Sequence, residues 1–115
     1  MRGLNWKSAL AWLLAAFFVL GGVMNIFVSP ETAADYQRWG YPDWFHYVTG
    51  ALELTAAALL ISSQTRFYGA VLAALVMIGA ATTVLSHGEL SHAIAPLVVL
   101  AVAAFVAYLN WVSVR

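Results

Sequence analysis

The sequence predicts an all-α integral membrane protein: a four-transmembrane-helix antiparallel bundle with a short interfacial helix between spans 1 and 2. Three observations carry this. Hydrophobic residues make up 63% of the 115 residues and charged residues only 9%, against roughly 25% charged in an ordinary soluble domain. Five basic and five acidic side chains cannot cover a globule, so lipid is the expected solvent. The chain also divides into four stretches that each approach or exceed the roughly 20 apolar residues needed to cross a bilayer. No alternating strand pattern interrupts them. The same composition excludes disorder, which needs low hydrophobicity and high charge. Zero net charge points away from a nucleic-acid partner. The lack of cysteine excludes disulfides, thiol redox chemistry, thiolate zinc sites and all-cysteine iron–sulfur clusters.

The spans follow from the gaps between charges, and are expected near residues 8–28, 44–63, 67–87 and 93–112 of a single domain, 1–115. Residues 8–30 and 67–86 hold no charged side chain. Residues 44–65 hold His46 near their start and Glu53 inside, and residues 90–114 hold only His92. Arg2 and Lys7 before the first apolar run resemble the start of a secretory leader. The run is too long for a leader, and no small-x-small cleavage site follows, so the span is expected to be retained. Ser29-Pro30-Glu31 reads as a helix start, with a capping hydroxyl, proline in the first turn and an acid at the positive end. A helix over residues 30–39 then stops at Gly40. Pro42-Asp43 opens span 2, with Asp43 as its candidate cap. The connections at 62–66 and 87–91 are short, which makes the helices they join antiparallel neighbours. Pro96 either fits the first turn of span 4 or kinks it.

Arg2, Lys7, Arg66 and Arg115 fall on one side of this layout. Arg38 alone falls on the other, with Glu31, Asp35, Asp43 and Glu89. The positive-inside rule therefore puts both termini in the cytoplasm. Trp6, Phe67, Tyr68, Tyr108 and Trp111 collect at the inner ends, and Phe27, Tyr36, Trp39, Tyr41, Trp44, Phe45 and Tyr47 at the outer ends. These are the aromatic belts of two membrane interfaces.

Trp39-Gly-Tyr-Pro-Asp-Trp-Phe45, Gly50-Ala-Leu-Glu-Leu54 and Met77-Ile-Gly-Ala-Ala-Thr-Thr83 resemble the DoxX-like family of small bacterial membrane proteins in their order and spacing. The likeness extends from the first span to the last. It implies a four-helix membrane bundle in the bacterial inner membrane. Larger relatives include a subunit of a thiosulfate:quinone oxidoreductase, so the resemblance brings a quinone into view as a ligand. Most small members have no established activity, and the resemblance carries the fold and not a reaction.

Glu53 is the most informative residue, because an ionisable group inside a span is costly and faces a protein interior or a cavity. His46, Thr49, Gly50, Glu53 and Ala57 form one helical stripe. Gly69, Ala73, Ala80, Thr83 and His87 form a second, and Ala15, Phe18, Gly22 and Asn25 a third. Small residues let these faces approach, and the polar ones hydrogen-bond across helices. By depth, Asn25, Glu53, Thr82, Thr83 and His87 share the outer half, with His46, Glu89 and His92 at the rim. The expectation is a polar spot opening outward, with Glu53, His46, Asn25, Thr83 and His87 as ligand-binding candidates. A protonated Glu53 can donate a hydrogen bond to a carbonyl such as a quinone oxygen, or exchange a proton with His46. The plain alternative is an acid bonded to Asn25, Thr82 or Thr83 that fixes helix register. His87 and His92 stand five apart, which does not align two metal ligands on one helix face. Ser86 and His87 are adjacent and should diverge on a helix, so no nucleophile–base pair is expected. No catalytic constellation emerges. Three functions remain: a redox-associated subunit binding a quinone or similar apolar compound, a scaffold binding a membrane protein partner, and a small permease acting as a homo-oligomer.

Overall fold

The computed structural model describes residues 5–111. Arg2 and Arg115, which entered the orientation argument, lie outside the described residues, as does residue 112 at the end of the fourth expected span. Five α-helices follow in order: α1 Trp6–Ile26, α2 Pro30–Arg38, α3 Phe45–Ile61, α4 Arg66–Ser86 and α5 Ile94–Asn110. A short 3₁₀ turn, Leu90–Ala93, leads into α5. The described residues contain no strand. Three helical stretches are long and apolar enough to cross a membrane: Trp6–Ile26, Arg66–Ser86 and Leu90–Asn110. The apolar helix α3 is shorter, with 17 residues.

Local chemistry sets the boundaries. Asn5 caps α1 by accepting from the Ser8 N–H at 2.9 Å. Ser29 caps α2 by accepting from the Thr32 N–H at 3.2 Å, with Pro30 in the first turn. After α2 the chain turns at Gly40, whose φ of +86° suits a residue without Cβ. The expectation that Asp43 caps α3 is not met. Trp44 holds the cap position with no side-chain hydrogen bond, and the turn closes instead by Phe45 N–H donating to the Pro42 carbonyl at 3.0 Å. Pro96 is the third residue of α5. In the first turn its missing N–H has no helical acceptor to lose.

Helix α1 packs on α3, α3 on α4, α4 on α5, and α5 returns to α1. The core is made largely of alanine, with Phe18, Leu60 and Val106 as the largest fully buried side chains. Small residues bring backbones together. A Cβ on Gly50 would stand 2.9 Å from the Gly22 carbonyl, and one on Gly69 would stand 2.7 Å from the Leu60 nitrogen and 2.9 Å from the Ala56 carbonyl. The α3–α4 turn is locked by Arg66, which is 5% exposed. Its Nε donates to the Leu60 carbonyl at 2.9 Å and its Nη2 to the Ile61 carbonyl at 3.0 Å. Thr65 Oγ1 donates to Leu59 O at 2.7 Å, and Trp12 Nε1 reaches Ile61 O at 3.2 Å. The last carbonyls of α3, which have no intrahelical donor, are thus satisfied by side chains.

Candidate functional site

A cavity of about 540 Å³ lies at the other end, under α2. Its size falls within the roughly 300–1,000 Å³ of pockets that hold small organic molecules. Glu53 on α3 lines it and is 5% exposed. Oε1 accepts from Asn25 Nδ2 at 2.8 Å, and the same amide nitrogen donates to the Gly21 carbonyl at 3.0 Å. Among the described residues, Oε2 has no hydrogen bond, yet no buried side-chain oxygen or nitrogen lacks a partner. The free oxygen is therefore one that the cavity reaches. Gly21 makes room for the carboxyl, since a Cβ there would stand 3.2 Å from both of its oxygens.

Helix α2 covers the cavity through three ties. Tyr36 donates its hydroxyl proton to Asn25 Oδ1 at 2.6 Å. This makes a chain of donors from Tyr36 through Asn25 to Glu53. Burial pushes the Tyr36 hydroxyl above the usual phenol range, which keeps it a donor. Arg38 grips Glu89 with Nε at 3.0 Å and Nη2 at 2.9 Å, while Trp39 Nε1 reaches the same carboxylate at 3.2 Å. These bonds, together with His92 Nδ1 at 3.1 Å, hold the Glu89 carboxyl down to about 2. Beyond α2, Tyr41 OH and Thr83 Oγ1 are 2.6 Å apart, and the Tyr41 ring stacks on Phe45 with centroids 4.3 Å apart.

The sequence-predicted residues divide as follows. Asn25, Glu53 and Thr83 all line the cavity. Thr83 bonds to Tyr41 and to the Gly79 carbonyl, and not to Glu53. His46 stands beside the cavity, its Nδ1 donating to the Asn25 backbone carbonyl at 2.6 Å. His87 is exposed at the end of α4, with Nδ1 donating to Thr83 O at 2.8 Å, and it does not line the cavity. The expected divergence of Ser86 and His87 is corrected, since Oγ and Nδ1 are 3.3 Å apart. His87 is the C-cap of α4 and has left the helical path. Ser86 Oγ donates to the Thr83 carbonyl at 2.9 Å, and both side chains are exposed. Thr32, Asp35 and Tyr36 of α2 line this end of the cavity, with exposed His92 opposite.

The model of the DoxX-like family matches residues 9–106. The chain belongs to the DoxX-like family. Comparison with curated proteins and with solved structures returned no match. In this DoxX-like membrane protein, three site residues escaped the sequence reading. Tyr36 and Tyr41 were absorbed into an aromatic belt, although Thr32, Ala33 and Tyr36 repeat at helical spacing on α2 and marked a face turned inward. Gly21 was visible only as one of a glycine pair four residues before Asn25.

Proposed function

We propose that this DoxX-like protein is a redox-associated membrane subunit that binds a quinone or a similar apolar carbonyl compound beside Glu53. The single observation behind this reading is the divided carboxyl: Oε1 is held by Asn25 and Oε2 is left to the cavity. When protonated, the free oxygen donates to a ligand carbonyl, and the aromatic rings of Tyr36, Trp39, Tyr41 and Phe45 bracket a flat ring. His46 and His87 act outside direct contact in this reading. We further propose that α3 is a fourth span, so that α1, α3, α4 and α5 cross the bacterial inner membrane in alternating directions as an antiparallel bundle. Helix α2 then lies at the outer interface, and both termini are cytoplasmic. The cluster at the α3–α4 turn supports this, since Arg66 and Lys7 fall on one side while α2 carries its acids on the other.

The test is native mass spectrometry of the detergent-purified wild type beside Glu53→Gln, with extraction of small molecules. The expected result is an apolar carbonyl compound in the wild type that the variant has lost. An empty wild type that also shows no thermal shift with any quinone added would overturn the reading and leave Glu53 as a residue of helix register.

A further inference from the structure

The cavity that Glu53 lines is also lined, at the α2 end, by Asp35 and His92, whose side chains are 42% and 65% exposed. A buried acid and two exposed titratable groups thus share one space. At about 30 Å³ for each molecule of liquid water, its volume of about 540 Å³ has room for a file of waters between them. The other direction is shut. Toward the α3–α4 turn lie Phe18, Ala56, Ala57, Leu60 and Ala73, none more than 1% exposed and none with a polar side chain.

Hydrogen bonds fix where a proton sits on Glu53. Asn25 is oriented by Tyr36, which donates to its Oδ1, and its Nδ2 donates to Glu53 Oε1. With Oε1 accepting, a proton on this carboxyl belongs to Oε2, the oxygen on the cavity. The Asn25 amide hydrogen-bonds but does not titrate, so the Tyr36–Asn25 chain is no route for it. Residues 8–30 and 67–86 bring no charged group to Glu53 from α1 or α4. On α3 itself, His46 is turned to the Asn25 backbone carbonyl. Across the cavity, Asp35 is ion-paired with Arg38, while Tyr36 and Tyr41 are bonded to Asn25 and Thr83. That leaves the imidazole of His92. Glu89 accepts from Arg38 and Trp39, so it is a carboxylate, and its Oε1 takes the Nδ1–H of His92 at 3.1 Å. The lone pair of the ring is then on Nε2, where it accepts a proton and returns it.

We infer that Glu53 exchanges its proton with water on the α2 side alone, through the cavity, and that His92 passes the proton at the mouth. The Oε2–H bond breaks toward a cavity water, and its electron pair stays on the Glu53 carboxylate. The water file carries the proton on, and Nε2 of His92 takes it before releasing it to solvent. Chains of carboxyl, imidazole and water are the ordinary means of moving protons within a membrane protein. The inference rests on the Glu53 site of the reading above but not on the quinone, so the two can fail separately.

Infrared spectroscopy of the full chain in lipid nanodiscs, transferred rapidly into D₂O, tests this. The carboxylic C=O band that Glu53→Gln removes reports the Glu53 proton, and its isotope shift times the exchange. His92→Gln should slow that exchange by about tenfold or more, and free imidazole in the buffer should restore it, which repair of a merely structural role would not do. The chain has no cysteine, so a bulky maleimide can be placed at one position. On His92→Cys it should slow exchange further. On Leu75→Cys, at an exposed and apolar position of the cavity wall, it should leave the rate within about twofold, since protons do not arrive through lipid. Slowing by the label at Leu75 and not at His92 would overturn the path from the α2 side. Unchanged exchange in His92→Gln would overturn the role of His92. Either result leaves the quinone reading standing. A Glu53 band absent at every pH at which the chain stays folded would overturn this inference together with the proton-donating form of the ligand reading. His92→Gln carries no bulky group at an exposed position, so its rate and rescue decide if a labelled variant does not fold.

Discussion

The two ends of this helix pack differ in what lies between α3 and α4. At the α3–α4 turn, Gly69 lets α4 touch the backbone of α3, Arg66 satisfies the Leu60 and Ile61 carbonyls with its guanidinium and Thr65 satisfies that of Leu59. At the α2 end, α3 and α4 present Thr49, Leu52 and Glu53 opposite Val76, Ala80 and Thr83 across a cavity. The ties over the cavity are made by long side chains, a tyrosine to a threonine, a tyrosine to an asparagine and an arginine to a glutamate, while Gly22 and Gly50 bring α1 and α3 together beside it. Backbone-to-backbone packing has one low-energy arrangement, whereas side-chain ties can break and reform one at a time. The difference teaches why one end can anchor the fold and the other can admit a molecule. Both ends contain a buried ionisable group, Arg66 or Glu53, but only Glu53 lines the cavity.

Substitutions at the two ends should sharpen that contrast. The largest loss is expected for Gly69→Val, whose new carbons meet the Leu60 nitrogen and Ala56 carbonyl. Overpacking against rigid backbone should cost about 3 kcal/mol, read as a shifted midpoint in unfolding by denaturing detergent. Arg66→Met should cost about 2 kcal/mol by stranding buried carbonyls in the same assay. A loss as small as that of a surface residue would show that the turn is not the anchor.

Glu53→Gln should leave stability within about 1 kcal/mol, because the amide can still accept from Asn25. It should nonetheless abolish any thermal protection by a quinone analogue. A large drop in stability would make the α2 end as structural as the other. At Gly79, where a Cβ would meet nothing within 4 Å, alanine should be neutral or stabilise by up to about 1 kcal/mol through helix propensity. The opposite outcome from Gly69 at the same helix is the clearest single check on the contrast.

The mildest effect is predicted for pH. The Glu89 carboxyl is held down to about 2 by Arg38, His92 and Trp39, below its ordinary value near 4.3. A depressed carboxyl contributes stability above its unfolded value, and that contribution is lost as pH falls toward about 2. Trp39 fluorescence should therefore report release of α2 between about pH 4 and 2, and Glu89→Gln should remove that transition. Because the tie is at the surface, salt should weaken it.

Much of this was legible in the residues themselves. Composition and the gaps between charges give the helical class and the membrane. Ser29-Pro30-Glu31 marks the start of α2 and Gly40 its end, because caps and turns are decided by nearest neighbours. The partnership of Asn25 with Glu53 was one of three that depth allowed, and the structure selects it because Gly21 and Gly22 bring α1 close to α3 at that level. Arg66 was legible only as a topology signal, since its hydrogen bonds depend on how tightly α3 and α4 turn. Asp43 failed as a cap because a turn closed by Pro42 took its place.

The sequence by itself determined the solvent, the helices and the one costly acid within them, since hydropathy and periodicity are local properties of the chain. Only the tertiary structure decided that Tyr36 of α2 reaches Asn25 and the cavity beside Glu53, and that His87 does not line it. Those outcomes depend on the angles and separations at which whole helices meet, and the packing of distant small and large residues sets these together.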